Sequence, residues 1–453
     1  MMNGTSYFKR FLPIFFLAII AQSACSLLPN AETSVAATTT PASALPDTAD
    51  TAAGIDTTTA INTPVFEIPE PTPKPKTSLI IWLPPEIASR TEAGAVVFSD
   101  QLLAFNTANP DLTISVEQKS IGGQGGILNY LRTGRDTAPT ILPDLIAIPV
   151  QQITAVSDEG LITPLEDVID PASLETLFPV AQKWASYKDH IFAYPFALTE
   201  MPQIEFDNTI TETPPLQWQM FISDTTKTMV LPAAGSAGAK LALQYYLQAG
   251  GSLTNEAGQP TLQLEPLTIA LQQLYNGRQN GFILQQSSNI STIDEARLLV
   301  QNGTTNYALS ASDQFLKGRT EQVALGFAAV PGLTESPPPL IRGWAWAIAT
   351  TDPVKKAAAA ALLTTLTTEE NLGNWSLNSK ILPATPNAFS QWPTEDMFVP
   401  FAQQALQRAE AMPLADNSPL MKALGDAVFD VISLSKSPEN AALEAVTTLQ
   451  TEP

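Results

Sequence analysis

The chain has 453 residues, 44% of them hydrophobic, and a formal net charge of −21. The acidic excess argues against nucleic acid and anionic lipid surfaces as partners, because both repel a negatively charged protein. One cysteine and one histidine exclude an intrachain disulfide and argue against a zinc site. We therefore expect a protein without a bound metal or a cofactor, whose fold is held together by packing alone.

The N-terminus has the pattern of a bacterial secretion signal. Residues 11–20 form an apolar run that is too short to span a bilayer, and small residues lead from it to Cys25. A cysteine at this point is typical of lipoprotein signals, in which it is acylated and becomes the new N-terminus. Gln22 stands where such signals usually have leucine, so ordinary cleavage with an incidental thiol is the alternative. We predict a signal peptide over 1–25, lipidation of Cys25 and attachment to the outer face of the cell membrane.

Residues 26–76 are rich in Thr, Ala and Pro and show neither helical nor strand periodicity. Such a segment offers too little large apolar surface to offset the entropy of ordering, so we expect a disordered tether. As a flexible coil it would reach roughly 40 Å. A mucin-like tail is the alternative interpretation.

The body begins with an α/β alternation. Continuous or alternating apolar residues predict strands at 79–83, 112–116 and 145–148. Phe98, Leu102 and Phe105 share one face of a helix between the first two strands, and a glycine-rich turn precedes a second helix. This order predicts a parallel, doubly wound sheet, in which ligands bind at the carboxyl ends of the strands.

Further along, Asp352 and Pro353 predict the N-cap and first residue of an alanine-rich helix. Its predicted buried stripe consists of Val354, Ala357, Ala358, Ala361, Leu362 and Leu366. Gly250 is expected to end another helix in a left-handed conformation. The body is too long for one small core and favours two lobes.

Several segments together resemble the extracellular solute-binding proteins of bacterial ABC importers, the family that includes maltose-binding protein. These segments span 143–169, 190–208, 213–218, 245–263, 325–333 and 343–385. The resemblance covers most of residues 77–390. It implies an α/β fold of two doubly wound lobes, joined by hinge strands that cross between them near Tyr194 and Phe327.

The lobes implied by the resemblance are 77–198 plus 328–352 for lobe one, and 199–327 plus 353–453 for lobe two. The resemblance also implies a function: an anchored, monomeric solute-binding component that captures a small solute, a carbohydrate above all, between the lobes. Closure of the cleft would then present the solute to the permease subunits of the importer.

Matching to the family's positions gives candidate ligand contacts. They are Trp82, Glu86, Gln151, Gln152, Thr199, Glu200, Ser310, Ser312, Trp344 and Trp375. Tryptophan faces can stack on a pyranose, while Gln, Glu and Ser can hydrogen-bond its hydroxyls. Ser310 and Ser312 occupy the region where sugar-binding relatives carry an aromatic platform. This departure speaks against a maltodextrin-like ligand and leaves a small sugar, a polyol or a sugar phosphate open.

No catalytic constellation is evident. His190 has no nucleophile elbow to accompany it, and the acidic pairs fall at predicted helix ends. We therefore expect a binding protein and no catalytic residues. An anchored glycan hydrolase with two converging carboxylates is the rival hypothesis, and a non-transporting sensor on the same fold is a third.

Overall fold

The computed structural model describes residues 76–209, 211–319 and 324–451. The predicted signal peptide, the lipidation site Cys25 and all but the last residue of the predicted tether lie outside these ranges. Within them, no helix combines the length and apolar character that a bilayer span requires.

The described residues form thirteen strands and fifteen α-helices. The strands are β1 (Thr77–Leu83), β2 (Leu112–Gln118), β3 (Leu145–Pro149), β4 (Ser186–Tyr187), β5 (His190–Ile191), β6 (Tyr194–Thr199), β7 (Pro202–Asp207), β8 (Met229–Val230), β9 (Tyr307–Ala311), β10 (Leu325–Ala328), β11 (Leu340–Ile348), β12 (Leu382–Pro383) and β13 (Glu410–Ala411). The helices are α1 (Pro85–Ala88), α2 (Glu92–Ala108), α3 (Ile127–Gly134), α4 (Ile153–Asp158), α5 (Pro179–Ala185), α6 (Trp218–Phe221), α7 (Ser236–Gln248), α8 (Leu264–Gln279), α9 (Ile293–Gln301), α10 (Ser312–Gly318), α11 (Pro353–Leu366), α12 (Glu369–Ser379), α13 (Phe398–Gln407), α14 (Pro419–Ser433) and α15 (Pro438–Thr451).

The larger sheet has the strand order β12-β6-β11-β3-β1-β2, with β13 paired to β11. Strands β1, β2 and β3 run parallel, as the alternation of strands and helices predicts. Strand β11 is antiparallel to both of its long neighbours, β3 and β6, because the chain re-enters this sheet from the other lobe. The smaller sheet, ordered β10-β7-β9-β8, belongs to lobe two. The predicted class, an α/β fold of two lobes, is confirmed.

Each sheet has its own core. Apolar residues on the two faces of the larger sheet pack against α2, α11 and α12 on one side and α3 and α4 on the other. The smaller sheet packs against α7, α8 and α14, where Tyr245, Leu271 and Val428 are fully buried. The separation into two cores is what allows the halves to act as distinct lobes.

The chain passes between the lobes three times. Strand β6 leaves the larger sheet and continues at Glu200 into β7 of the smaller one. The return passage follows β10 and ends at β11, and a third passage joins β13 of the larger sheet to α14. Helices α11, α12 and α13 share the core of the larger sheet, whereas the sequence analysis assigns residues 353–453 to lobe two. Of the helices within 353–453, α14 and α15 are the ones that pack in the core of lobe two.

Local predictions fare unevenly. Asp352 caps α11 as predicted, with its carboxylate accepting from the amides of Val354 and Lys355, and Gly250 has the predicted left-handed φ of 86°. The predicted stripe of α11 is confirmed at Leu362 and Leu366, which are buried, but Val354 is 62% exposed and the buried Ala359, Ala360 and Leu363 were not part of it. An alanine-rich helix has too little contrast between its faces to fix their orientation from the sequence.

Candidate functional site

A cleft of about 430 Å³ opens where the passages between the lobes meet helices of lobe two. Its walls come from Glu200 and Pro202 of the first passage, the N-terminal turns of α7 and α9, and the junction of β9 with α10. Leu340, Met412 and Asp416, which lie on or next to the other two passages, complete the lining. Movement of one lobe against the other would therefore change the shape of this cleft.

Four charged side chains tie the passages together at the edge of the cleft. Lys240 of α7 places its Nζ 2.7 Å from Glu200 Oε2 and 3.2 Å from Asp416 Oδ1. Arg342 of β11 reaches the same two carboxylates, at 3.3 Å from Glu200 and 2.7 Å from Asp416. We call these four residues the hinge charge cluster. Two cations and two carboxylates balance one another, so the cluster carries no net charge.

Glu200 has a strained backbone with φ of 62°, which is unusual for a residue with a side chain. Such a conformation costs on the order of 1–2 kcal/mol and persists where neighbours enforce it. Here the amide of Glu200 donates to Asp313 Oδ1 at 2.9 Å. The sharp turn between β6 and β7 is thereby fixed to the start of α10.

Asp313 also joins the two lobes. Its Oδ2 accepts from Arg90 Nη2 at 2.9 Å, and its Oδ1 accepts from the hydroxyl of Ser312 at 3.1 Å. Arg90 belongs to lobe one, in the loop between α1 and α2, and its guanidinium also donates to the carbonyls of Ser379 and Lys380. The side chains of Arg90 and Asp313 are only 9% and 11% exposed. This partly dehydrated ion pair is a direct polar contact between lobe one and the wall of the cleft.

Ser310, which lines the cleft, belongs to a buried polar layer with Glu205 and Arg297. Arg297 Nε lies 2.6 Å from Glu205 Oε2, and the Ser310 hydroxyl donates to the same oxygen at 2.9 Å. Glu205 is completely buried and the Arg297 side chain is 6% exposed. The second carboxylate oxygen of Glu205 and both polar atoms of buried Gln203 have no partner among the described residues. A substitution in this layer is therefore expected to destabilise the fold, because each lost contact leaves a buried charge or amide without a partner.

The rim of the cleft at α9 is shaped by a capping box. Thr292 accepts from the amide of Glu295, and the Glu295 carboxylate accepts from the amides of Ser291 and Thr292. These amide donors hold the pKa of Glu295 below its usual value. The carboxylate's share of stability is therefore present above the unfolded-state pKa and lost as the pH falls through the lower folded-state pKa.

Replacing Thr292 with alanine is expected to lower the free energy of unfolding by about 1 kcal/mol, because the N-cap acceptor is lost. Urea unfolding followed by circular dichroism measures this difference. Thr133→Ala, at an exposed threonine near the end of α3, serves as the control and is expected to change stability by less than about 0.5 kcal/mol. An equal loss in both variants would contradict the capping role.

The structure places the predicted contacts in different parts of the molecule. Glu200 and Ser310 line the cleft. Ser312 is buried at the start of α10 with its hydroxyl bound to Asp313, and Thr199 is buried at the end of β6. For Ser310 and Ser312, hydrogen bonds within the protein already engage the hydroxyls.

The tryptophans are held in cores or against them. Trp375 is 5% exposed and lies 5.5 Å, centroid to centroid, from Phe196 in the core of the larger sheet, and Trp344 packs against that core. Trp82 is 3% exposed on the other face, with Lys119 Nζ 4.6 Å from its ring centroid.

Gln151 and Gln152 form a short turn after β3, and Glu86 is exposed on α1. Like Trp82, Trp344 and Trp375, they lie outside the lining of this cleft. A ligand contact by any of the six stays a prediction.

Other residues of the cleft were missed from the sequence, namely Lys240, Asp313, Asp416, Ser236 and Gln314. No aromatic side chain lines the cleft in the part of the chain that the structure describes. Among those same residues, no group of His, Cys, Asp or Glu is arranged to hold a metal ion. The arrangement offers hydroxyl, amide and carboxylate groups for hydrogen bonding in a space of small-molecule size.

Comparison with known proteins gives one family and several solved structures of similar fold. The sequence model of the bacterial extracellular solute-binding protein family matches residues 102–399. No curated protein sequence matches the chain.

Among solved structures, the fold is similar to the maltose-binding periplasmic protein of Listeria monocytogenes in complex with maltose, at 14% identity and a TM-score of 0.64 over 83% of this chain and 99% of that one. It is also similar to the maltose/maltodextrin-binding domain of Bdellovibrio bacteriovorus bound to maltotriose, at 17% identity and a TM-score of 0.56 over 83% and 99%. A third similar fold is the GacH receptor of Streptomyces glaucescens, studied without ligand and with acarbose, at 15% identity and a TM-score of 0.58 over 83% and 100%.

Proposed function

The chain belongs to the family of bacterial extracellular solute-binding proteins, and from this premise we propose that it captures a carbohydrate in the cleft between its lobes and delivers it to an ABC permease. Membership of this family assigns it to solute binding outside the cytoplasm. Acylation of Cys25 would hold it at the membrane, and residues 26–76 would act as the tether.

One observation carries the proposal: the cleft lies where all three passages between the lobes converge, and its lining is rich in hydrogen-bonding groups. Ser236, Ser291 and Gln314 can donate to and accept from sugar hydroxyls. The structures of similar fold were solved with maltose, maltotriose and acarbose, which supports a carbohydrate as the class of ligand.

Polar contacts between the lobes would favour the closed form of the cleft. A ligand shifts an open–closed equilibrium only by its difference in affinity for the two states, so several kcal/mol of contacts must form on closure. The Arg90–Asp313 pair is such a contact, made between the two lobes themselves and next to the cleft. The hinge charge cluster keeps the three passages aligned while the lobes move.

The hydrolase hypothesis gains no support from this geometry. Glu200, Asp313 and Asp416 are each paired with a lysine or an arginine, which gives these carboxylates structural partners. A glycosidase instead requires one carboxyl group as a proton donor beside a second carboxylate.

Thermal unfolding of the purified chain in the presence of a sugar panel tests the proposal. A sugar at 100 times its Kd is expected to stabilise the native state by about 2.7 kcal/mol, which raises Tm by several degrees, and to be recovered unchanged. Gln314→Ala, at the cleft, is expected to reduce the shift, whereas Gln219→Ala, on the surface of lobe two, should leave it intact. A panel without any stabilising sugar would contradict carbohydrate capture, and released product would favour the hydrolase.

Anchoring is tested separately with Cys25→Ala in the native host or a related bacterium. We expect the unaltered chain in the membrane fraction and the variant in the soluble fraction, because acyl chains supply the membrane affinity. Mass spectrometry of the N-terminal peptide should show an acylated Cys25. An unmodified thiol on a membrane-bound chain would overturn the anchor.

A further inference from the structure

A second groove of about 550 Å³ lies beside the cleft, between the segment that leads into α7 and helix α14. Ser236 and Asp416 line both spaces, so the groove adjoins the cleft at these two residues. Each space falls within the roughly 300–1,000 Å³ that small-molecule sites occupy. The two adjoining spaces together offer more room than one compact ligand requires.

The floor of the groove is built from small residues. Ala233, Ala234, Gly235 and Ala239 line one side, and Gly425 of α14 lines the other. A Cβ atom built at Gly425 would meet only the Cβ of Ala239, at 3.8 Å, so the space above it is open. A flat ligand can therefore approach the backbone here closely.

Phe429 stands one helical turn beyond Gly425 and forms the aromatic wall of the groove. It is 43% exposed, although the neighbouring residues Val428, Val431 and Ile432 of α14 are buried. Among the described residues that line the cleft or the groove, it is the one aromatic side chain. Asn417, Lys422 and Asp426 surround it with polar groups.

We infer that the ligand is an oligosaccharide that extends from the cleft past Ser236 and Asp416 into this groove, where one sugar ring stacks on Phe429. The inference rests on the proposed carbohydrate function and adds a subsite to it. An aromatic face binds the apolar face of a pyranose, and the surrounding amide, ammonium and carboxylate groups bind its hydroxyls. Lys240 and Arg342 hold Asp416 in place while its side chain remains 48% exposed. Its carboxylate can therefore accept a hydrogen bond from a sugar hydroxyl where the two spaces meet.

The subsite makes affinity depend on chain length. Isothermal titration of the full-length chain, purified in a non-glycosidic detergent, would use glucose, maltose and maltotriose together with the β-linked cellobiose and cellotriose. Phe429→Ala is expected to weaken binding of the preferred trisaccharide about fivefold to tenfold and to change monosaccharide binding by less than twofold. Phe429→Trp, which keeps an aromatic face, should retain the trisaccharide affinity.

Two controls separate the possible outcomes. Leu264→Ala, at an exposed apolar residue of α8 that lines neither space, should leave all affinities unchanged, and equal Tm values would show that every variant is folded. Trisaccharide binding that is unaffected by Phe429→Ala, or an equal loss for every sugar length, would overturn the subsite alone. Failure of every sugar to bind the unaltered chain would overturn the carbohydrate function and the subsite with it.

Discussion

Replacing Arg297 with methionine is expected to lower the free energy of unfolding by roughly 3–5 kcal/mol, because it leaves the carboxylate of Glu205 buried without a counter-ion. Glu205 has no solvent exposure, and its remaining described partner would be the hydroxyl of Ser310. Since Ser310 lines the cleft, the loss should also disturb the cleft wall.

The chain supplies a matched control for this experiment. Arg132 and Glu159 form an ion pair with the same 2.6 Å distance between Nε and Oε2, but their side chains are 45% and 38% exposed. Arg132→Met is expected to cost less than about 1 kcal/mol, since exposed pairs contribute little. The double variant Glu205→Leu/Arg297→Met should regain much of the stability, because no buried charge is left unpaired. Equal losses for Arg297→Met and Arg132→Met in urea unfolding would show that burial does not set the value of the pair.

The features of the fold that the sequence predicts well are those with a local cause. The continuous apolar run of β1 and the capping residue Asp352 follow from short-range chemistry, and both lie where the sequence analysis expects them. The assignment of α11, α12 and α13 to a lobe could not be derived in this way. Helix α13 has an apolar face that either core could accommodate, and the observed contacts of Phe398 with Phe315 and Phe327 join residues distant in sequence.

The candidate site is less predictable, for a physical reason. The candidate contacts come from matching to the family's positions, and a large aromatic side chain at such a position can pack in a core as well as stack on a sugar in a cleft. Trp375 buries its apolar surface against Phe196 in the core of the larger sheet. The sequence around Glu205 does indicate a polar face of β7, because Gln203 and Glu205 alternate with Ile204 and Phe206 along the strand. The pairing of Glu205 with Arg297, 92 residues away, has no local signature.

Arg90→Met is expected to weaken sugar binding by about 10- to 100-fold, because it removes between roughly 1.4 and 3 kcal/mol of contact between the lobes in the closed state. Arg90 donates to Asp313 and to the carbonyls of Ser379 and Lys380, so its loss removes a polar contact between the cleft wall and lobe one. Asp313 keeps the amide of Glu200 and the hydroxyl of Ser312, which should preserve the hinge turn and the fold. The expected defect is therefore one of closure, with a much smaller change in stability.

Fluorescence energy transfer between the lobes distinguishes closure from unfolding. In a Cys25→Ala background, cysteines introduced at exposed Leu103 of α2 and Leu298 of α9 carry the two dyes, one on each lobe. Without sugar, Arg90→Met should shift molecules from the short to the long interdye distance, and sugar should restore the short one only at higher concentration. Asp313→Asn, which keeps the acceptor oxygen but loses the charge, should give part of the effect, and the double variant should add little because both changes remove one interaction. Unaltered distances and affinity in Arg90→Met would mean that closure is determined by the apolar contacts of α10 with α13, where Phe315 and Phe398 lie 4.9 Å apart.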